Sequence, residues 1–288
     1  MAAQAPTLKA ADLFDVKGKV ALVTGGGTGI GKMWAETLAH NGVTVYIASR
    51  KVKPLQEAAD EINALARFGG KCIPIQADVA DKKGCDALVD AIKARGVTKL
   101  HILVNNAGIS WGDPMTSFPE KEGWDRLMAL NVKSAFYLTT ASLPLLLSAT
   151  TPSDPARVIN ISSMASVLAS VSGPLSAPGS GTWSYQPSKA AVNHLTRSLA
   201  LELGPKGVTA NVVCPGVFRS RMTAFGVKNS LGMMEASQPL GRIGVTEDMA
   251  GLCLFLCSRA SAYLNGAAIP IDGGAGLGGR GKGPVAKV

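Results

Sequence analysis

The chain has 288 residues, of which 47% are hydrophobic and 17% charged, and a formal charge of +9. So much apolar material supplies a sizeable core and excludes disorder throughout the chain. Lysine and arginine are scattered and do not interleave with aromatics, which argues against a nucleic-acid surface and leaves a solvated basic exterior or a phosphate-bearing small ligand.

Residues 1–17 read as a flexible leader with no charged segment leading into an apolar core, so no signal peptide is expected. No apolar run approaches the roughly 18 residues that span a bilayer. The five cysteines, Cys72, Cys85, Cys214, Cys253 and Cys257, form no C-x-x-C pair, and His40, His101 and His194 stand apart. Neither a disulfide framework nor a metal site is expected. The expectation is a reduced, cytoplasmic protein without a membrane anchor.

From Lys19 onward, short aliphatic runs alternate with stretches of helical period. Strands are expected at KVALVTG (19–25), VTVYIAS (43–49), KCIPIQADV (71–79), LHILVNN (100–106), RVINIS (157–162), VTANVVCP (208–215) and AAIPID (267–272). Helices are expected over 30–41, 54–68, 82–95, 121–148, 185–203 and 246–258. The alternation predicts an α/β fold with a doubly wound parallel sheet of about seven strands in one domain, residues 18–274. Two stretches interrupt it: the Ser/Gly/Pro-rich segment 166–184 reads as a loop, and 217–245 as irregular. Residues 275–288, rich in Gly and Lys, read as a disordered tail.

The first strand runs into TGGGTGIG, residues 24–31. A Gly-rich turn between strand and helix lets the backbone approach a pyrophosphate, whose charge meets the N–H groups and dipole of the helix that follows. Gly25, Gly29 and Gly31 carry that pattern. The second strand ends IASRK, placing Arg50 and Lys51 where an acid would hold a ribose 2′-hydroxyl and a base accommodates a 2′-phosphate. NADP(H) is therefore expected over NAD(H).

In SYQPSK, Tyr185 and Lys189 are four apart on the helix 185–203 and share a face. A phenol titrates near 10, and bringing it to neutrality takes about 4 kcal/mol of preferential phenolate stabilisation. A neighbouring ammonium is one source of that field, which would make the pair a general acid/base. NISS (160–163) ends one predicted strand and NNAG (105–108) another, where open parallel sheets place ligands, and Asn131 lies in the long helix.

TGGGTGIG, NNAG, Asn131, Ser163, Tyr-x-x-x-Lys and CPGVF in this order resemble the short-chain dehydrogenase/reductase family over about residues 17–274. The later stretches CPGVFRSRMT, PLGRIGVTEDMAG and IPIDGG further resemble its 3-oxoacyl-carrier-protein reductase-like branch, with RhlG-like fungal relatives. The resemblance implies a Rossmann-type fold and an NAD(P)-dependent oxidoreductase acting on a ketone or β-keto group, or on the alcohol in reverse. A polyol or sugar dehydrogenase is the alternative, with a non-catalytic NADP-binding scaffold behind it.

The resemblance further implies that Tyr185 exchanges a proton with the substrate oxygen and that Ser163 hydrogen-bonds it. Lys189 would lower the Tyr185 pKa and hold the nicotinamide ribose, while Asn131 would hold a water linking Lys189 to solvent. The dinucleotide would lie along Gly25, Thr28, Gly29 and Ile30, then Arg50 and Lys51. Asp78 and Val79 would meet the adenine, Asn105 would cap the adenosine side beside Ala107 and Gly108, and Pro215, Gly216 and Val217 would frame the nicotinamide. Ser163 precedes Tyr185 by 22 residues, more than is usual in the family, so either Ser162 or Ser163 faces the substrate, with Ser163 favoured. Segments 166–184 and 217–245 would form an apolar pocket mouth, and a homotetramer, or a dimer, is implied.

Overall fold

The structure, a computed structural model, describes residues 8–173 and 176–277. Each aliphatic run forms a strand: Val20–Thr24 (β1), Thr44–Ser49 (β2), Lys71–Gln76 (β3), Ile102–Asn105 (β4), Ala156–Ile161 (β5), Val208–Pro215 (β6) and Ala268–Ile271 (β7). β5 and β6 are buried along their whole length, as strands covered by helices on both faces must be. The strands form one parallel sheet in the order β3-β2-β1-β4-β5-β6-β7. The order reverses between β1 and β4, so a crevice opens at the carboxyl ends of those two strands.

Helices clothe the sheet on two sides. Gly29–His40 (α2), Val52–Leu65 (α3) and Thr246–Cys257 (α9) pack Trp34, Leu38, Leu55, Ile62, Met249 and Cys253 against one face. Lys82–Lys93 (α4), Ser134–Leu147 (α6) and Tyr185–Leu203 (α7) pack Cys85, Leu88, Leu138, Leu146 and Leu199 against the other. The result is the single Rossmann-type domain that the alternation predicts. All five cysteines are buried and free.

Four regions depart from the sequence expectation. The expected continuous helix 121–148 is instead a relay: π-helix at Glu120–Asp125, one α-turn at Arg126–Met128 (α5), π-helix again at Ala129–Lys133, then α6. Segment 217–245, expected to be irregular, contains the helix Ala224–Ala236 (α8), kinked at Ser230. Gly226, Asn229 and Gly232 depress helix propensity there, which hides the helix from a pattern reading. Of the leader expected over 1–17, residues 1–7 lie outside the described residues, while Ala10–Leu13 (α1) is helical and Val16 is buried in the core. Of the tail expected over 275–288, Ala275–Leu277 is a 3-10 turn and 278–288 lie outside the described residues.

Candidate active site

The glycine turn at the end of β1 fits a dinucleotide on steric grounds. Gly25 and Gly29 adopt φ of +67° and +55°, which L side chains rarely take. A Cβ on Gly31 would stand 2.4 Å from the Gly25 carbonyl oxygen. Thr28 precedes α2 in extended conformation and its side chain caps nothing, which leaves the helix's N-terminal donors without an N-cap partner. Asn106 fastens the turn, donating from Nδ2 to the Thr24 carbonyl at 2.8 Å and to that of Gly25 at 3.4 Å. Asn106, and not its neighbour Asn105, is thus the amide on the glycine turn.

Arg50 and Lys51 leave the end of β2 exposed to solvent. Arg50 Nη1 lies 3.8 Å from Asp78 Oδ2, a loose surface pairing that leaves the guanidinium available to a phosphate. Asp78 Oδ1 accepts from the Ala80 backbone N–H at 3.1 Å, which holds Asp78 and Val79 at the β3 end of the crevice. Asn105 departs from its expected place. Its Nδ2 donates inward to Asn160 Oδ1 at 2.9 Å and Thr139 Oγ1 at 3.1 Å, so the side chain ties β4 to β5 and α6 instead of facing an adenosine. Ala107 and Gly108 follow at the strand end, with the Ala107 N–H held by Thr24 Oγ1 at 3.0 Å.

Ser163 and Ser162 follow the end of β5 and diverge. Ser162 is buried and donates to the Lys189 carbonyl at 3.0 Å. Ser163 caps the 3-10 turn Met164–Ser166 by accepting from the Ala165 N–H at 3.1 Å, and its hydroxyl lies close enough to the Tyr185 phenol to pull that group's pKa down. Ser163 is thus the serine that meets Tyr185. Asn193, one turn beyond Lys189, donates to Ser166 Oγ at 2.8 Å, and Ser166 Oγ donates to the Ser163 carbonyl at 2.7 Å. Asn193 therefore steadies the turn that presents Ser163, a role with no signal in the sequence pattern.

Lys189 lies 5.5 Å from the centre of the Tyr185 ring. Its ammonium donates to the Ile161 carbonyl at 2.9 Å, and the side chain is buried. Burial brings its pKa down to about 8, against a small opposing pull from Cys214. Burial also raises the Tyr185 pKa, and the Ser163 hydrogen bond offsets this only in part. The Lys189 ammonium is thus anchored at Ile161 while it stays beside the Tyr185 ring, and the net shift on Tyr185 is upward. Asn131 sits at the junction of the loop after β4 and α7. Its Oδ1 accepts from the Ile109 N–H at 2.9 Å while Nδ2 donates to the Ile109 carbonyl and Ser188 Oγ, each at 3.0 Å. These bonds pin the loop after β4 to α7.

Pro215 ends β6, and Gly216 and Val217 follow; a Cβ on Gly216 would meet Asp272 at 2.8 Å. A cavity of about 190 Å³ beyond them is lined by Val217, Phe218, Gln238, Leu240 and Asp272, but neither Tyr185 nor Ser163 reaches it. Ser220 was not singled out from sequence, yet it packs directly over the glycine turn: a Cβ on Gly29 would stand 2.9 Å from its own Cβ. Among the described residues, no group of His, Cys, Asp and Glu is placed to hold a metal ion.

A family profile described as enoyl-(acyl carrier protein) reductase matches residues 25–276. The rhamnolipid-biosynthesis 3-oxoacyl-(acyl-carrier-protein) reductase of Pseudomonas aeruginosa is 41% identical over 91% of this chain and 97% of its own length. The chain belongs to the short-chain dehydrogenase/reductase family. It is accordingly an NAD(P)-dependent oxidoreductase. The short-chain dehydrogenase/reductase PhomF of Diaporthe leptostromiformis is 36% identical over 93% of this chain and 95% of its own. Among solved structures, the Pseudomonas aeruginosa RhlG/NADP active-site complex superposes with a TM-score of 0.84 at 40% identity, covering 92% of this chain and 99% of that one. β1, β2, β4, β5 and α7 deliver the residues described above to the carboxyl edge of the sheet, where open parallel sheets place their ligands.

Proposed function

We propose that the protein reduces a ketone or β-keto group to a secondary alcohol, or runs the reverse, using NADP(H) in preference to NAD(H). The carrying observation is the Lys189 ammonium 5.5 Å from the Tyr185 ring with the Ser163 hydroxyl beside the same phenol, at the sheet edge where Gly25, Gly29 and Arg50 open a phosphate-accepting crevice. The nicotinamide, when bound, supplies or accepts the hydride. Tyr185 passes its phenolic proton to the substrate oxygen, and the Ser163 hydroxyl hydrogen-bonds that oxygen as it gains charge. Its raised pKa keeps Tyr185 protonated at neutral pH, which suits the reductive direction. Arg50 and Lys51 hold the 2′-phosphate, and Asn131 fixes the loop against which the substrate closes.

A sugar-acid or polyol dehydrogenase is the second reading, favoured by the 34% identity to the gluconate 5-dehydrogenase of Gluconobacter oxydans over 91% of this chain. The protein acts on a small molecule in the cytoplasm as a homotetramer, or a dimer, with exposed Phe136 and Leu147 of α6 and Leu201 of α7 offering apolar contact area. No helix among the described residues is long and apolar enough to cross a membrane.

The test follows loss of NADPH or NADH absorbance, separately, with cyclic ketones, β-keto esters and keto sugar acids. Turnover faster with NADPH, abolished in Tyr185→Phe and shifted toward NADH in Arg50→Ala, is the expected result. Equal use of both cofactors by wild type and Arg50→Ala overturns the phosphate assignment, and turnover surviving in Tyr185→Phe overturns the mechanism.

A further inference from the structure

The segment lengthened between Ser163 and Tyr185 does not hang free. At its end, Gly181 pairs with Asp113 in the loop after β4: the Asp113 N–H donates to the Gly181 carbonyl at 3.2 Å, and the Gly181 N–H returns the bond at 2.9 Å. Two tryptophans converge on the same aspartate. Trp111 Nε1 donates to Asp113 Oδ2, and Trp183 Nε1 to the Asp113 carbonyl, both at 3.2 Å. The chain holds only four tryptophans, so the convergence is not a by-product of aromatic abundance. Phe118 joins the group, because a Cβ on Gly123 would stand 2.8 Å from the Phe118 ring and 3.1 Å from that of Trp111. Ser184 completes the tie, donating to the Gly123 carbonyl at 2.5 Å. Trp183 is two residues from Tyr185, and Trp111 two from Ile109, the residue Asn131 clamps.

We infer that Trp111 and Trp183, locked by Asp113, form a specificity wall beside Tyr185 that selects planar cyclic ketones over short flexible ones. This rests on the reductase reading above. Both indole N–H groups are consumed by Asp113, so neither is left to read a polar substrate; what the rings present is apolar π-surface. Such a surface rewards flat area, and a residue-scale stacking contact amounts to roughly tenfold in selectivity. Asp113 is a positioning residue: its carboxylate holds the Trp111 ring, and its backbone holds Trp183. Both rings remain partly accessible.

The experiment compares α-tetralone, a planar aryl ketone, with ethyl acetoacetate, short and flexible, using NADPH and wild type, Trp183→Leu, Asp113→Ala and Asp113→Asn. The ratio of kcat/KM for α-tetralone over that for ethyl acetoacetate is expected to fall about tenfold in Trp183→Leu. It falls also in Asp113→Ala, through KM rather than kcat, and recovers in Asp113→Asn, whose amide oxygen still accepts from Trp111. Tryptophan quenching by α-tetralone in the presence of NADPH, saturable in wild type and weakened in Trp183→Leu, gives a readout independent of turnover. Saturable quenching without turnover leaves the wall standing and removes the reductase reading. Turnover with a ratio unchanged in Trp183→Leu, or with no saturable quenching, overturns the wall and leaves the reductase reading intact.

Discussion

At the residue scale, burial acts on Tyr185 and Lys189 in opposite senses, because one gains charge on losing a proton and the other loses it. Tyr185 is held protonated and Lys189 is brought down to about 8, so the site at neutral pH pairs a neutral phenol with an ammonium. The expected consequence concerns kcat/KM for NADPH, which reports the free enzyme. It is expected to be level at neutral pH and to fall as pH rises above about 8, where Lys189 loses its charge. A profile level well beyond that point, in a protein whose Tyr185→Phe variant is inactive, shows that the Lys189 charge is not needed for catalysis. The Tyr-x-x-x-Lys spacing and the paired serines were legible from sequence, because a helix repeats every three to four residues and fixes the shared face. Which serine meets Tyr185 was only favoured: both lie past the end of β5, and contacts to Lys189 and Ala165 decide it. Asn105 and Asn106 were likewise adjacent amides with opposite fates, one drawn into the Asn160–Thr139 network and the other left on the glycine turn.

At the scale of elements, the strands and most helices follow the hydrophobic pattern to within a few residues, since aliphatic burial alone specifies them. The pattern carries no signal for the π-helical turns that break the expected helix 121–148, because the change from α to π shifts hydrogen bonds without shifting composition. Yet Ala129–Lys133 is the turn that carries Asn131 to Ile109 and Ser188. The junction is tight on its strand side. A Cβ added at Gly108 would stand 3.1 Å from Asn131 Oδ1 and 3.6 Å from Lys189 Nζ. Gly108→Ala therefore presses the loop after β4 away from α7 while leaving the sheet intact. We expect kcat to fall about tenfold or more through misplacement at the site, with a folded protein by circular dichroism. Wild-type kcat in a folded Gly108→Ala protein shows that the Asn131 clamp does not set the catalytic geometry.

At the scale of the whole molecule, the two edges of the sheet do different work. The carboxyl edge carries the candidate site, and the opposite edge carries a buried ion cluster that no motif announces. Lys19, before β1, donates to Asp154 at 2.9 Å and to the Cys257 carbonyl at 3.1 Å, and Arg157, at the start of β5 and 1% exposed, donates to Asp154 at 2.5 Å. These charges tie together chain segments more than 130 residues apart, a pairing set by topology and therefore invisible in local pattern. Burial alone would raise the Asp154 pKa, but the Lys19 hydrogen bond and the Arg157 charge outweigh it and hold the carboxyl below its ordinary 3.8. Asp154 thus adds stability above that value, lost as pH falls through its lowered folded pKa. His101 adds a second limb: burial, then the Lys19 charge, lowers its pKa from 6.5, and its neutral Nδ1 accepts from the Val20 N–H at 3.0 Å. Its contribution is complete above 6.5 and declines as the pH drops below. Asp154→Asn leaves Lys19 and Arg157 buried without their anion, a loss of about 3 kcal/mol or more. It is expected to lower the urea midpoint at neutral pH and to erase the acid limb below pH 3.8 while sparing the His101 limb. Because the cluster sits across the sheet from Tyr185, KM for NADPH should hold in the folded variant. An unchanged midpoint, or an acid profile identical to wild type, shows that the cluster does not anchor this edge.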